Sequence, residues 1–288
     1  MNLRIRRRRF GQIAIATAAT TALSGFAQRA LAQRGPILYG VTVDSTGENL
    51  IIQALNLATG NILPVNIQRK LEGNERISAF TAMPNGRFAI ATGPRIASPG
   101  RGLGRRRSRL MSSTTQDMPE PQGLDNNAAF ESILNTIDNR LLSIVSLNQG
   151  TPPFRFANID RQSGRVSYLT NIDLRPNRRY SNLSQSANGN VYGTLLGPDG
   201  GPTLVQFDFA NRSLVTGKAK ILPIAQLTYN KQPLFNDVAS LALSPSNQLF
   251  ALADPTYEGT NSLFLVNIKT GEMTFLRKFD VQKITFTR

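Results

Sequence analysis

Hydrophobic and polar residues alternate along most of the chain in short runs that end at turn residues, which is typical of β-strands. Four segments share one pattern of apolar positions around a turn, and they begin at Ile77, Phe130, Tyr180 and Val238. Their turns hold, in chain order, Asn-Gly, Asp-Asn, Asn-Gly and Ser-Asn pairs, which can adopt the positive φ of a short hairpin. The pattern therefore predicts four copies of a β-hairpin, spaced by 53, 50 and 58 residues.

A second hairpin is predicted after most of these copies. Its turns lie in four segments, 55–62, 159–166, 207–214 and 266–273. In each segment an apolar strand reaches an Asn or Asp, whose side chain can accept a hydrogen bond from the backbone two residues further on. Two hairpins make four antiparallel strands, and the repeat length is close to that of one β-propeller blade.

The two ends of the chain predict how such a ring would close. Residues 37–43 predict a second strand and residues 50–67 a third and a fourth, with no first strand before them. The segment DVQKITF, residues 280–286, repeats the spacing of a first strand and has no partner strands after it. If this last strand completes the first blade, no sheet edge is left open. We therefore expect an all-β propeller of about five four-stranded antiparallel blades, closed by the C-terminal strand, with a β-sandwich as the alternative.

The blade spacing and the Asn-Gly turns, over about residues 36–288, resemble those of the periplasmic β-propeller proteins of the YVTN and quinoprotein-like group. The resemblance implies a propeller that works outside the cytoplasm. The chain contains no Trp, whereas quinoprotein blades use Trp in their docking motifs, so the resemblance does not extend to enzymes that use PQQ.

The first 32 residues have the features of a twin-arginine signal peptide. Arg7 and Arg8, followed by one further residue and Phe10, resemble the twin-arginine motif. A weakly apolar stretch over residues 13–27 follows, as in the middle region of a signal peptide. Because this stretch is shorter than the roughly 20 apolar residues that cross a membrane, we expect export and not anchoring.

The small residues at the end of this segment predict cleavage after Ala32, so that the mature chain begins at Gln33. Residues 33–288 then form a single propeller domain, which we expect to be a monomer without a transmembrane anchor. We expect it in the periplasm or another extracytoplasmic compartment, the thylakoid lumen included. Removal of six Arg leaves 27 basic and 18 acidic residues, a net charge of +9 in place of +15.

The composition excludes several kinds of chemistry. The chain has no Cys and no His, which excludes disulfides, thiolate nucleophiles, Cys-ligated metals and the most common general base. Any catalysis must use carboxylates, Tyr, Lys, Arg, Ser or a bound hard cation. The sequence assigns no catalytic residue and implies no cofactor, apart from a possible Ca²⁺.

Residues 93–129 are rich in Pro, Gly, Ser and Arg and predict a flexible insertion in the propeller. Guanidinium groups suit phosphate, sulfate and carboxylate, so the segment is a candidate anion-binding site. Its candidate residues are Arg101, Arg105, Arg106, Arg107 and Arg109. The expected partner is an envelope polyanion or a protein, because export and the absence of interleaved aromatic residues disfavour nucleic acid. The alternative is a solvated insertion without a ligand.

Three acidic residues are candidate ligands for a hard cation such as Ca²⁺. Asp199 lies in the loop 197–202, and Asp254 and Glu258 lie in the loop 253–261. Both loops join the second and third strands of their blades, so they should emerge on the same face of the ring. The alternative is that all three are solvated turn residues, because Asp-Gly and Asp-Pro are common in turns.

The sequence leaves two classes of function open. We expect an exported, non-enzymatic propeller that binds an envelope ligand, a polyanion or a protein partner. The alternative is a hydrolase or lactonase-type propeller that uses carboxylates or a cation. A cluster of acids at the central mouth of the ring would favour the enzyme, whereas a mouth lined by Ser, Thr and aliphatic residues would favour the binding protein.

Overall fold

The structure is a computed structural model that describes residues 35–287 apart from 66, 68, 73–74, 95–107, 115–117, 149, 173–177, 199 and 210–218. The predicted signal peptide and cleavage site therefore lie outside the described residues. The strands of the described part are β1 (Ile37–Val43), β2 (Leu50–Asn56), β3 (Ile62–Val65), β4 (Glu75–Ala82), β5 (Phe88–Pro94), β6 (Arg109–Ser112), β7 (Ala129–Asn135), β8 (Leu141–Asn148), β9 (Thr151–Ile159), β10 (Val166–Asn171), β11 (Arg179–Gln185), β12 (Val191–Leu196), β13 (Pro202–Asp208), β14 (Lys220–Gln226), β15 (Thr228–Tyr229), β16 (Gln232–Pro233), β17 (Ser240–Leu243), β18 (Leu249–Ala253), β19 (Ser262–Val266), β20 (Glu272–Lys278) and β21 (Lys283–Phe286).

These strands form five sheets, which are the five blades of an all-β propeller. The strand orders are β21-β1-β2-β3, β4-β5-β6, β7-β8-β9-β10, β11-β12-β13-β14 and β17-β18-β19-β20, the last extended by β15 and β16. The first strand of each blade contacts the first strands of both neighbouring blades, in the closed sequence β4, β7, β11, β17 and β21. These five inner strands surround the centre of the ring, which confirms the predicted fold class.

The ring closes as the sequence predicts. Strand β21 pairs with β1 in antiparallel register, with Tyr39 opposite Thr285 and Gly40 opposite Ile284. The apolar side chains of β21 are buried, with Ile284 1% exposed and Phe286 5% exposed. A first strand from the far end of the chain therefore completes the first blade.

The predicted hairpin turns are present between the first and second strands of the blades. Asn139, Gly189 and Asn247 have positive φ angles of 64°, 89° and 61° at these turns. Asn and Gly are the residues that tolerate this backbone region best, which is why the turn pairs could be found in the sequence.

Apolar residues fill the space between neighbouring blades in five clusters, one for each pair of blades. Aromatic rings join the blades in several of them: Phe156 meets Phe207 edge-on at 4.9 Å between ring centroids, and Phe250 lies 5.4 Å from Phe286. Since every blade packs against two others, burial of apolar surface stabilises the ring as a whole.

Two blades differ from the expected pattern. The blade that begins at β4 has three strands in the described part of the chain, and its third strand, β6, lies within the segment 93–129 predicted as a flexible insertion. In the same segment Gln122 forms a parallel bridge with Arg165.

The blade that begins at β17 gains the short hairpin β15–β16, because β15 pairs in parallel with β20. The sequence did not predict this hairpin.

Candidate functional site

Charged side chains from all five blades meet at one mouth of the ring, where the inner strands begin. They are Arg76 in β4, Glu131 in β7, Arg179 in β11, Asp237 just before β17, and Lys283 in β21. We call this set the charged mouth. Arg179 forms ion pairs with both acids of the charged mouth. Its Nη2 atom lies 3.0 Å from Glu131 Oε2, and its Nη1 atom lies 3.7 Å from Asp237 Oδ2.

The carboxylate of Glu131 is fully enclosed, since its side chain has no exposed surface. Its second oxygen, Oε1, accepts a hydrogen bond of 2.6 Å from the Ser146 hydroxyl, which in turn accepts one of 2.8 Å from the Gly150 amide. Buried carboxylates are stable when both oxygens are paired in this way. Glu131 and Arg179 therefore form a fixed ion pair in the wall of the mouth.

The other ionisable groups of the charged mouth titrate away from their ordinary ranges. Burial raises the pKa of the Asp237 carboxyl, although Arg179 and Lys283 oppose the shift. Burial, together with the positive charge of Arg76, lowers the pKa of the Lys283 ammonium to about 8. Burial also lowers the pKa of the Arg76 guanidinium, against the attraction of Glu131. Clusters of desolvated, mutually interacting ionisable groups occur preferentially at functional sites.

Two amide side chains hold the segment that presents Asp237. Asn236 Nδ2 donates to the backbone carbonyl of Asp254, in the loop of the last blade. Asn182 Nδ2 donates to the carbonyl of Val238 at 2.7 Å, and Asn182 itself adopts a left-handed backbone conformation with φ of 59°. Such a conformation on an inner strand is unusual and persists where surrounding contacts fix it. Both neighbours of Asp237 in the chain are thereby held in place by hydrogen bonds.

The opposite mouth of the ring contains a cavity of about 290 Å³, lined by the last residues of the inner strands and the turns that follow them. Among the described residues no charged side chain lines this cavity, so we call it the neutral mouth. Three of its hydroxyls accept backbone N–H groups of the neighbouring inner strand. Thr81 accepts from Asn135 at 3.1 Å, Ser184 from Leu243 at 2.8 Å, and Thr285 from Ala82 at 3.3 Å. The inner strands belong to separate sheets and do not pair with one another, so some of their backbone N–H groups have no acceptor within their own sheet. These hydroxyls provide the acceptors for such N–H groups.

The predicted cation ligands are placed as follows. Asp254 accepts hydrogen bonds from the amides of Glu258 at 3.0 Å and Gly259 at 2.7 Å within its own loop. Glu258 pairs with Lys278 at 2.9 Å on the surface, and this hydrogen bond lowers the pKa of Glu258. Asp199 lies outside the described residues. Within the described ranges no group of three or more acidic residues is arranged to hold a metal ion, and the two acids of the charged mouth are surrounded by three cations. The two acids of the charged mouth do not fit Ca²⁺, which prefers six to eight oxygen ligands. A Ca²⁺ site at Asp199, Asp254 and Glu258 stays a prediction, because Asp199 lies outside the described residues.

Of the predicted anion-binding arginines, only Arg109 falls in the described part of the chain. Arg101, Arg105, Arg106 and Arg107 lie outside it. The expectation of a flexible insertion does not hold at Arg109, which belongs to β6 and pairs with Thr92. Its guanidinium donates to Glu75 at 2.6 and 2.8 Å and to Glu72 at 2.6 Å, which ties β6 to the start of β4.

The patterns in the sequence did not mark any of the five residues of the charged mouth as candidates for chemistry. All five nevertheless stand within two positions of the first apolar residue of a repeat, for example Arg76 beside Ile77 and Asp237 beside Val238. A search for charged residues at the start of each repeat would have found them.

None of the described helical segments is both long and apolar enough to cross a membrane.

Comparison with known proteins supports the fold. No protein-family model matches this chain, and no curated protein matches its sequence. Among solved structures, a protein of unknown function from Dyadobacter fermentans is similar at 10% identity, with a TM-score of 0.52 over 85% of this chain and 83% of that one. A gluconolactonase from Xanthomonas campestris is similar at 9% identity, with a TM-score of 0.46 over 86% and 78% of the two chains. A candidate 6-phosphogluconolactonase from Bacteroides uniformis is similar at 11% identity, with a TM-score of 0.45 over 86% and 84%.

These findings correct the function expected from the sequence, a non-enzymatic propeller that binds an envelope ligand, a polyanion or a protein partner. The gluconolactonase and the candidate 6-phosphogluconolactonase have names of the class that the sequence left as its alternative, a hydrolase or lactonase-type propeller. At such low sequence identities, the structural similarity is evidence for the fold of this chain and for nothing else. The expectation looked for chemistry on the Arg-rich segment and on the loops 197–202 and 253–261, whereas the ionisable cluster of the described residues lies where the inner strands begin.

Proposed function

We propose that the chain is a hydrolase of the lactonase type, which opens a small ester or lactone at the charged mouth without a metal ion. The observation that supports this proposal is the meeting of five ionisable side chains, one from each blade, at one end of the central channel. Hydrolysis of an ester needs a base for the attacking water and positive charge near the carbonyl oxygen, and both groups are present there.

Asp237 is the candidate general base. Its Oδ1 atom is buried and has no hydrogen-bond partner among the described residues, while Oδ2 faces Arg179. Burial raises the pKa of this carboxyl, and a carboxylate with a raised pKa is a stronger base than an ordinary one. Asp237 would accept a proton from water as the water oxygen bonds to the carbonyl carbon.

Lys283 is the candidate electrophilic group. With a pKa of about 8, its ammonium is charged at neutral pH, and its Nζ donates to the Ala239 carbonyl at 2.5 Å. This bond uses one of three N–H donors, so two can face a substrate. The ammonium would stabilise the oxyanion of the tetrahedral intermediate. As the ring C–O bond breaks, the leaving oxygen would take the proton from the protonated Asp237.

The ion pair of Glu131 and Arg179 would position these groups without reacting. Glu131 is paired through both oxygens, so neither is available as a base. Arg179 lies between Glu131 and Asp237 and therefore fixes where the Asp237 carboxylate points. Positioning by residues that are themselves locked is a general requirement for catalysis.

The test is a hydrolysis assay of the mature chain against a panel of γ-lactones, δ-lactones and aryl esters in the presence of EDTA. We expect activity that EDTA leaves unchanged, and a loss of about 10²- to 10⁴-fold in kcat/KM for Asp237→Asn, the range typical of a general base. Glu258→Gln is the matched control, because it removes a carboxylate from the exposed loop that pairs with Lys278. It should retain activity within about twofold. Activity that depends on a metal, or equal activity of the two variants, would contradict the proposal.

We also propose that this activity lies outside the cytoplasm, in the periplasm or a comparable compartment. The support is the sequence of residues 1–32, with Arg7 and Arg8 in a twin-arginine pattern, and the resemblance to the YVTN and quinoprotein-like propellers. Mass spectrometry of the protein purified from its native cells should find a chain that begins at Gln33. A native chain that retains Met1 would exclude cleavage at this site.

A further inference from the structure

The charged mouth contains more positive than negative charge. Its cations are Arg76, Arg179 and Lys283, and its anions are Glu131 and Asp237. Arg179 lies beside both acids, at 3.0 and 3.7 Å, so the two carboxylates are already engaged by one of the three cations. Arg76 has no ion pair within 4.0 Å among the described residues.

The guanidinium groups of the charged mouth also have donors without acceptors. The Nε atoms of Arg76 and Arg179 are both buried, and neither has a hydrogen-bond partner in the part of the chain that the structure describes. A buried charged donor without an acceptor costs more than a neutral one, because the group has lost its water and gained nothing in exchange. Two such donors at the same mouth are available to an acceptor from outside the chain.

The geometry of these donors determines which acceptor suits them. A guanidinium offers N–H groups in a planar fork that matches the oxygens of a carboxylate or phosphate, whereas a neutral hydroxyl would leave the excess charge uncompensated. Glu131 has both oxygens occupied and cannot turn to Arg76 without leaving Ser146 or Arg179. An anion from outside the protein satisfies both the donors and the charge.

We propose that the charged mouth binds an oxyanion group of its substrate, a carboxylate or phosphate, with Arg76 as the main specificity-determining residue. The proposal rests on the proposed function, because it states the class of ester or lactone that the enzyme accepts. Arg76 provides the fork and Lys283, from the adjacent inner strand β21, a second positive charge. Neutral lactones without such a group are then poor substrates. This anion site lies in the ring itself and is separate from the site that the sequence predicts on the Arg-rich segment 101–109.

The location is consistent with selection of small anions. Lys283 interacts electrostatically with Arg76, Arg179, Asp237 and Glu131, so all five groups lie within a small volume. Since Arg76 and Lys283 stand on the contacting inner strands β4 and β21, the proposal places the oxyanion group between them. A long polyanion would reach only those charges that lie at the surface.

The test measures anion binding without any reaction, by calorimetry and thermal shift on the mature chain. The probes are acetate, malonate and inorganic phosphate, with NaCl used to hold ionic strength constant. We expect wild-type protein to bind at least one probe, and the comparison of acetate and malonate with phosphate distinguishes a carboxylate from a phosphate site. Arg76→Met should weaken this binding by about tenfold or more, the value expected for loss of a charged hydrogen bond.

Arg140→Met is the matched control. Arg140 is exposed and pairs with Asp138 at a turn on the side of the neutral mouth, so its loss should change anion binding by less than about twofold. Arg76→Lys, compared with Arg140→Lys, gives a second measurement if Arg76→Met does not fold, and it should bind more weakly than wild type because it lacks the fork. Failure of wild type to bind any probe, or equal binding by the Arg76 and Arg140 variants, would overturn the proposal.

Asp237→Asn separates this proposal from the proposed function. This variant should lose hydrolysis but bind the anion at least as tightly as wild type, since it removes a nearby negative charge. If anions bind and no lactone or ester is hydrolysed, the hydrolase proposal fails and the anion site stands. If wild type and Arg76→Met hydrolyse lactones that carry a carboxylate or phosphate equally well, the anion site fails and the hydrolase stands.

Discussion

The two mouths of the ring are built by the same five inner strands and yet differ in the kind of polar group that they present. At the neutral mouth, Thr81, Ser184 and Thr285 accept backbone amides of the neighbouring strands. At the charged mouth, Arg76 forms no hydrogen bond through Nε, and Asp237 none through Oδ1, within the described residues.

This difference separates polar groups that hold the ring together from groups that serve another purpose. A hydroxyl that accepts a buried N–H stabilises the fold and has a complete structural explanation. A buried ionisable group without a full set of partners destabilises the fold, so its presence needs an explanation in function. The cavity of about 290 Å³ at the neutral mouth is therefore not the better guide to chemistry in this propeller.

The largest expected effect comes from removing the strand that contributes to both mouths. Truncation after Phe279 deletes Val281, Ile284 and Phe286, whose side chains are 1%, 1% and 5% exposed. Each such side chain stabilises the fold by about 1.5–3 kcal/mol, and whole domains are stable by about 5–15 kcal/mol. We expect the truncated chain to aggregate or to unfold without cooperativity, as measured by circular dichroism and light scattering. A truncated chain that melts cooperatively would show that β21 is dispensable.

An intermediate effect is expected in the pH dependence of kcat/KM. Activity should fall above about pH 8, because the Lys283 ammonium loses its proton there, and it should fall at low pH as Asp237 becomes protonated, at a pH above the ordinary range of an aspartate. Lys283→Arg keeps the positive charge to about pH 12 or beyond, so the alkaline limb should move up or disappear. Lys283→Met should lose activity across the whole range. An unchanged alkaline limb in Lys283→Arg would assign that limb to another group.

The smallest effect is expected at the neutral mouth, and it should appear in stability only. Ser184→Ala leaves the Leu243 amide without its acceptor, which costs about 1–3 kcal/mol for a buried donor. The control is Ser163→Ala in an exposed turn, which should cost about 0.5 kcal/mol or less. Thermal unfolding measures both values, and kcat/KM of both variants should stay near wild type. A large loss of activity in Ser184→Ala would show that the two mouths are not separate in function.

The blades were predictable because they depend on apolar spacing and turn residues, which recur with a regular period. Asn139, Asn247 and Gly189 mark turns whatever lies around them. The charged mouth was not predictable in the same way. Its residues do not share one position in the repeat, because they fall one residue before, one residue after or two residues after the first apolar residue. In addition, bulges interrupt the strand pairing at Ile77/Ala79 and Phe130/Ser132. A bulge changes which face a side chain occupies, so alternation in the sequence does not show which residues point into the channel.

The pairing of β1 with β21 also sets the order in which the molecule can be assembled. Tyr39 and Thr285 are partners in the same sheet, although they lie 246 residues apart in the chain. During synthesis, β1 appears before any other described strand, and it keeps one edge unpaired until all the remaining blades have been made. An unpaired strand edge is a site for wrong association, and contacts distant in sequence form slowly. The step that completes both mouths is therefore also the last possible step of folding, and a nascent chain has no complete charged mouth before it.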